Sequence, residues 1–326
     1  AVPIISQQMP PLIMCFGFAE TDAMTNSLLT AFSLPTPIQS LTGSWQSRYP
    51  VFMKREELRD PELGGNKWCK LMGHIEAARR HGHDHLLSVG GAWSNHLHAL
   101  ALAGRRFGFA TTGLVRGHEV MTETLADAAN AGMRLHFIPR NAYRQRHTVE
   151  GLSGLTMAYG RAWIIPEGGE GRHGAAGVTH LAAEIESQLS GQVILAVPVG
   201  SGTTMAGLVA ALPSRFQVWG FQAFNDASLA TRLAAQLPSN HQGAGWRLYP
   251  TEAMRTHHQL PEKLMLFMQK FEQEQGIALD PIYTVRMLSA LDQLLAVADI
   301  PDNSTILALH TGGLQGRRGH GLALAA

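Results

Sequence analysis

The sequence predicts an α/β protein with parallel sheets covered by helices on both faces. Short apolar runs alternate with stretches of helical periodicity along most of the chain. Apolar runs end in glycine-rich turns at Gly90, Gly200 and Gly312. Glycine is abundant, 34 of 326 residues, which suits many tight strand-to-helix turns. In such folds ligands bind beyond the carboxyl ends of the strands.

Composition narrows the class further. Apolar residues make up 45% and charged residues 16%, which excludes a disordered chain and a coiled coil. With 26 basic against 25 acidic residues the formal charge is +1, so no global field draws nucleic acid or an anionic membrane. Two cysteines, Cys15 and Cys69, exclude a disulfide framework and a Cys-rich zinc site. No stretch reaches the roughly 18 apolar residues of a membrane span. The apolar run 11–19 is short and has no basic segment before it, so a buried segment and a cytoplasmic protein are expected. The length calls for one large or two intimate domains.

Residues 1–50 read as irregular, with Pro35, Pro37 and Pro50 as breakers. Asn66 is expected to cap a helix whose apolar face is Trp68, Leu71, Met72 and Ile75, spaced i, i+3, i+4, i+7. A strand follows at 86–89. A helix opens near Ser94, with Leu97, Leu100, Ala101 and Gly104 on one face. Then come a strand at 111–115, a helix at 122–131, and strands at 135–138 and 163–165. The second half repeats the rhythm. Strands are expected at 193–199, 217–221 and 306–309, and helices at 204–212, 261–275 and 285–297.

Glycine-rich turns carry the chemistry. Gly200, Ser201, Gly202, Thr203 and Thr204 lie between a strand and a helix. Small residues there let backbone N–H groups converge on one anion, and the helix N-terminus adds partial positive charge. The hydroxyls add donors, and a phosphate monoester fits. The loop is neither a Walker A motif nor G-x-G-x-x-G. In Gly64, Gly65, Asn66 and Lys67 a lysine stands in the first helical turn, against the preference of the helix dipole. A desolvated lysine near positive charge has a lowered pKa and can form a Schiff base. Gly90 to His96 is a further strand end opening a helix, where amides and the Ser94 hydroxyl suit a carboxylate or a plain helix cap. Asp280, Pro281, Ile282, Tyr283 and Thr284 precede a helix, and His310 to Gly313 close the last strand. His81, His83 and His85 alternate in a turn, but no carboxylate or Cys set completes a metal site, and no metal is expected.

Taken together, in this order, the motifs resemble the pyridoxal-phosphate enzymes of the D-cysteine desulfhydrase and 1-aminocyclopropane-1-carboxylate (ACC) deaminase family, over residues 50–316. The resemblance implies the two-domain fold of tryptophan-synthase-β relatives. Residues 1–68 plus 161–326 would form the larger domain, and residues 69–160 a smaller inserted one. It implies that Lys67 holds the cofactor and moves the proton, and that Asn95 bonds its phenolic oxygen. Gly200, Ser201, Gly202, Thr203 and Thr204 match the phosphate cup, and Thr311 faces the ring nitrogen. Ser94 matches a hydroxyl near the substrate carboxylate, and Tyr283 a tyrosine beside the substrate. A homodimer is implied as well. These requirements agree with the residues, since the cofactor needs an amine, an anion cradle and a ring partner.

The chain departs from the family pattern in places. Thr284 stands where ACC deaminases carry Glu, and a hydroxyl cannot hold the ring nitrogen protonated as a carboxylate does. Trp93 and Thr203 are bulkier than the residues many relatives carry. A second family tyrosine has no clean match; Tyr249, His257 and His258 lie in its region. The expected activity is α,β-elimination from a small amino acid such as D-cysteine, with ACC deamination and a binding protein of little turnover as alternatives.

Overall fold

The computed structural model describes residues 35–46, 49–237, 243–251, 260–297, 300–301 and 303–323. Cys15, the run 11–19, His257 and His258 lie outside the described residues. A six-stranded sheet is built from β1 (Ile38–Ser40), β2 (Val51–Arg55), β7 (Gln192–Val199), β8 (Phe216–Gln222), β9 (Gly245–Pro250) and β10 (Ser304–His310). Its order is β1-β2-β10-β7-β8-β9. Only β1, paired with β2, runs antiparallel. A four-stranded parallel sheet contains β3 (His85–Gly90), β4 (Ala110–Arg116), β5 (Arg134–Ile138) and β6 (Trp163–Ile165), in the order β5-β4-β3-β6. β6 lies past residue 160 and pairs with β3, Leu86 opposite Trp163.

Burial on both faces shows directly along β7. Val193, Leu195, Val197 and Val199 enter one apolar core, and Ile194 and Ala196 enter the other. Leu307 and Leu309 of β10 join the first, and Ile306 and Ala308 the second. This is the two-sided apolar run of a parallel strand. The first core is closed by α6 (Arg172–Gln188), α7 (Thr203–Ala211) and α8 (Leu229–Gln236). The second is closed by α9 (Glu262–Gln275) and α10 (Thr284–Leu295). The remaining helices are α1 (Asn66–Arg80), α2 (Asn95–Phe107), α3 (Glu123–Asn130), α4 (Arg140–Arg144) and α5 (Val149–Thr156). No helix among the described residues is long and apolar enough to cross a membrane.

Two local expectations are corrected. Residues 38–40 form a strand rather than irregular chain, because β2, in a stretch given no element from the sequence, joins β10 and lends β1 an edge to pair with. The cap of α1 is Gly65, not Asn66; Gly65 adopts φ +99°, and Asn66 is the first helical residue.

α1 and α6 touch backbone to backbone. A Cβ on Gly73 would fall 2.0 Å from the His173 carbonyl oxygen, and one on Gly177 would fall 1.9 Å from that of Cys69. Glycine at these positions fixes how deeply α1 seats.

Candidate active site

Strand ends and helix starts converge on Lys67. Gly65 pairs with Gly312 across an isolated antiparallel bridge, and the Asn66 N–H donates to the Thr311 carbonyl at 3.2 Å. A Cβ on Gly65 would lie 2.3 Å from that same oxygen. The turn after β10 therefore clamps the start of α1. The Asn66 Nδ2 donates to Thr204 Oγ1 at 2.9 Å, tying α1 to α7. Lys67 donates to Asn66 Oδ1 at 3.1 Å, and its Nζ lies 5.5 Å from the Tyr283 ring centroid.

A cavity of about 340 Å³ is lined by Lys67, Gly200, Ser201, Gly202, Thr204, Tyr283 and Thr311. A smaller space of about 20 Å³ is shared by Lys67, Asn95, Tyr283 and Thr311. Most of the residues assigned from the motifs thus surround one amine. Thr203 is buried beside the cup, with its Oγ1 3.3 Å from Ser201 Oγ. Ser94 lines neither space; its Oγ accepts the Leu97 N–H at 3.2 Å and caps α2. Asn95 Oδ1 accepts from Gln315 Nε2 at 3.0 Å. Tyr249 belongs elsewhere, stacked on Phe221 in a separate cavity with Arg286. His81 and His83 pack on Trp163, whereas His85 bonds Thr112 Oγ1 at 2.9 Å.

Lys70 was not signalled by any motif. It stands one turn after Lys67, buried, and donates to the Gly168 carbonyl at 3.1 Å and Ser201 Oγ at 3.4 Å. It brings a second ammonium to the mouth of the cup. The only signal in the sequence is the i, i+3 spacing of the two lysines, which sets them on one helix face.

Burial sets the protonation states. It pushes the Lys67 amine down to about 8, against the nearby Asp280 carboxylate. Burial and Lys67 together push Lys70 down to about 7. Burial, then Asp280, raise the Tyr283 phenol above its ordinary value, so it stays protonated. His96 is held neutral by burial and the two lysines. Ser88 gives its proton to the Ile165 carbonyl at 2.7 Å, so His96 Nε2 is the donor in its 2.9 Å bond to Ser88.

The lysine shifts have a stability consequence. Unfolded lysine titrates near 10.4, above both folded values, so the unfolded chain binds more protons between about 7 and 10. The cofactor-free protein is expected to melt at higher temperature at pH 9 than at pH 7. Thermal melts across that range check the sign, and Lys70→Met should flatten the rise.

The residues fit pyridoxal phosphate. There is a half-buried amine, a cup at the N-terminus of α7, and a second, buried lysine beside it. Gly200 keeps the cup open: a Cβ there would lie 3.1 Å from Tyr283 Cε1. The buried Thr284 hydroxyl has no hydrogen-bond partner among the described residues. Thr284 lines neither space around Lys67, whereas Thr311 lines both. The Asp280 carboxylate holds Tyr283 and Thr284 in place by accepting their N–H groups at 2.6 and 2.8 Å.

Comparison with known proteins agrees. A protein of Pyrococcus abyssi described as a putative 1-aminocyclopropane-1-carboxylate deaminase is 27% identical over 310 residues, covering 88% of this chain and 92% of that protein. The D-cysteine desulfhydrase of Klebsiella pneumoniae is 28% identical over 315 residues, covering 87% and 93%. The crystal structure of an ACC deaminase homologue superposes with a TM-score of 0.76 at 23% identity, covering 91% of this chain and 97% of the other. Residues 29–312 match the family described as pyridoxal-phosphate dependent enzyme, and the chain belongs to that family.

Proposed function

We propose that this enzyme carries out α,β-elimination on a small β-substituted amino acid of the D-cysteine kind, releasing pyruvate, ammonia and the β-substituent. The observation that supports it best is the pairing of a desolvated lysine with a protonated tyrosine across one cavity. Bound pyridoxal phosphate supplies the electron sink that acidifies the substrate Cα–H. The chain supplies positions and protons. Lys70, Ser201, Thr204 and the amides of the cup hold the phosphate. Asn95 and Thr311 offer polar groups to the ring. With a pKa near 8, a fraction of Lys67 is neutral at neutral pH, so its amine removes the α-proton. The electron pair left at Cα becomes the Cα–Cβ double bond as the β-substituent departs with its bonding pair. Tyr283, protonated, donates to that leaving group. Water hydrolyses the released enamine to pyruvate and ammonia.

The same proposal includes the division into a larger domain, 1–68 plus 161–326, and a smaller one, 69–160, except that β6 joins the smaller domain's sheet, and a cytoplasmic homodimer. ACC deamination is the second reading, favoured by the description of the Pyrococcus relative. Thr284 weighs against it, because ACC has no α-proton and needs a stronger electron sink than a neutral hydroxyl sustains.

The deciding assay offers D-cysteine, L-cysteine, β-chloro-D-alanine, D-serine and ACC to the purified holoenzyme and follows keto acid and ammonia. Pyruvate from D-cysteine and β-chloro-D-alanine, with no 2-oxobutyrate from ACC, is expected. 2-Oxobutyrate from ACC would move the assignment to the second reading. Silence on every substrate would leave a cofactor-binding protein of little turnover.

A further inference from the structure

The Lys67 cavity as a whole is lined by five cationic side chains, Lys67, Lys70 and three arginines, against three acids. Arg146 and Arg232 line it, and so do Glu167, Glu170 and Asp226. Arg146 pairs with Glu167, which also accepts the Tyr143 hydroxyl. Arg232 pairs with Asp226 at 2.7 Å. Glu170 lies in the field of Lys70 and Arg232. Arg116 is left over. It ends β4, at the carboxyl edge of the smaller sheet, and lines the same cavity as Lys67. No carboxylate pairs with it among the described residues. Its guanidinium lies 5.5 Å from the Tyr143 ring centroid, so the ring fixes its position without neutralising it. One nitrogen would sit 3.6 Å from a Cβ on Gly91, so Arg116 borders the turn that opens α2.

We propose that Arg116 recognises an anionic group at the end of the substrate's β-substituent. Among the β-substituted amino acids proposed above, the preferred substrates are then those whose side chain ends in a carboxylate, sulfate or similar anion. A fixed, unpaired guanidinium offers a planar fork of donors that matches such oxyanions. Arg116 is exposed where Lys67 is half-buried, which suits a group at the outer end of the substrate. The turn at Gly91 to Asn95 remains for the α-carboxylate. The kinetic part of the test rests on the elimination proposed above. O-sulfoserine would lose its α-proton to Lys67, and sulfate would depart with the Cβ–O bonding pair. The enamine would again give pyruvate and ammonia.

The test compares O-sulfoserine with β-chloroalanine, both enantiomers of each, in wild type, Arg116→Gln and Arg116→Lys. Removing one charge-assisted hydrogen-bonded contact is expected to raise KM for O-sulfoserine about 10- to 100-fold in Arg116→Gln. KM for β-chloroalanine should stay within about twofold, and Arg116→Lys should recover part of the loss. Calorimetric titration with aspartate and alanine reads the same site without turnover. Aspartate should bind the wild-type holoenzyme at least tenfold more tightly than alanine, and Arg116→Gln should erase that preference. An equal rise in KM for both substrates would overturn the proposal by moving Arg116 to the α-carboxylate, and so would no change in either. If no substrate yields pyruvate but the Arg116-dependent preference for aspartate persists, elimination fails and the anion site stands. If that preference is absent from wild type, the anion site fails on its own.

Discussion

Replacing Lys67 by Ala is expected to lower the rate of pyruvate release by about four orders of magnitude or more. The amine has two tasks, holding the cofactor and moving the α-proton, and no other residue can take over both. Lys70 is the nearest alternative, but its Nζ is committed to Gly168 and Ser201. The phosphate cup is built by other elements, so the variant should still bind the cofactor. Borohydride should fix the cofactor to the wild-type chain and leave the variant unlabelled. A small amine such as methylamine, added to the variant, should restore part of the rate. A variant that released pyruvate at the normal rate would end the role given to Lys67.

The second large effect concerns Gly177, far from any reacting atom. In the Gly177→Ala variant the new methyl would overlap the Cys69 carbonyl at 1.9 Å. The methyl is fixed rigidly to the α6 backbone and the carbonyl is part of the α1 backbone, so relief requires α1 and α6 to separate. Overpacking of this kind costs about 3 kcal/mol, which lowers the melting temperature by roughly 4–5 °C in a chain of this size. Because α1 carries both lysines, cofactor affinity should fall as well. Gly154→Ala provides the contrast, since a Cβ there meets nothing within 4 Å. In helix α5 it should be neutral or stabilising by up to about 1 kcal/mol. Equal melting temperatures for the two variants would show that the α1–α6 contact is not tight.

The glycines of α6 also explain where the sequence was hard to read. Val178, Leu181, Ala182 and Ile185 have helical spacing and are buried, yet Gly168, Gly169, Gly171, Gly174 and Gly177 punctuate the approach like a loop. Two of these lie inside the helix because neighbouring backbone leaves no room for a side chain. The edge strand β9 was equally obscure. Most of its residues are half-buried, so its apolar side chains show no alternation. By contrast, strands buried on both faces and helices ending in glycine were legible from apolar runs and turns alone. The residues around the cavity were legible because small residues at strand ends repeat in a distinctive order. Lys70 was hidden because its role comes from burial, which a charged letter in a helix does not announce. Ser94 was ambiguous for the opposite reason, since a serine before a helix suits a cap as well as a ligand, and here its hydroxyl caps.

The two stacked amines of α1 make loading of this enzyme a proton-coupled event. With Lys70 depressed to about 7, much of it is neutral at the pH of a cell. A phosphate dianion settling in the cup favours the ammonium form and draws a proton from solvent. Acidification therefore strengthens the part of cofactor binding that runs through Lys70, while Lys67, at about 8, must be neutral to join the cofactor. Wherever the ratio of apo to loaded enzyme matters, that ratio is set jointly by cofactor supply and by pH, through a residue that need not touch the substrate.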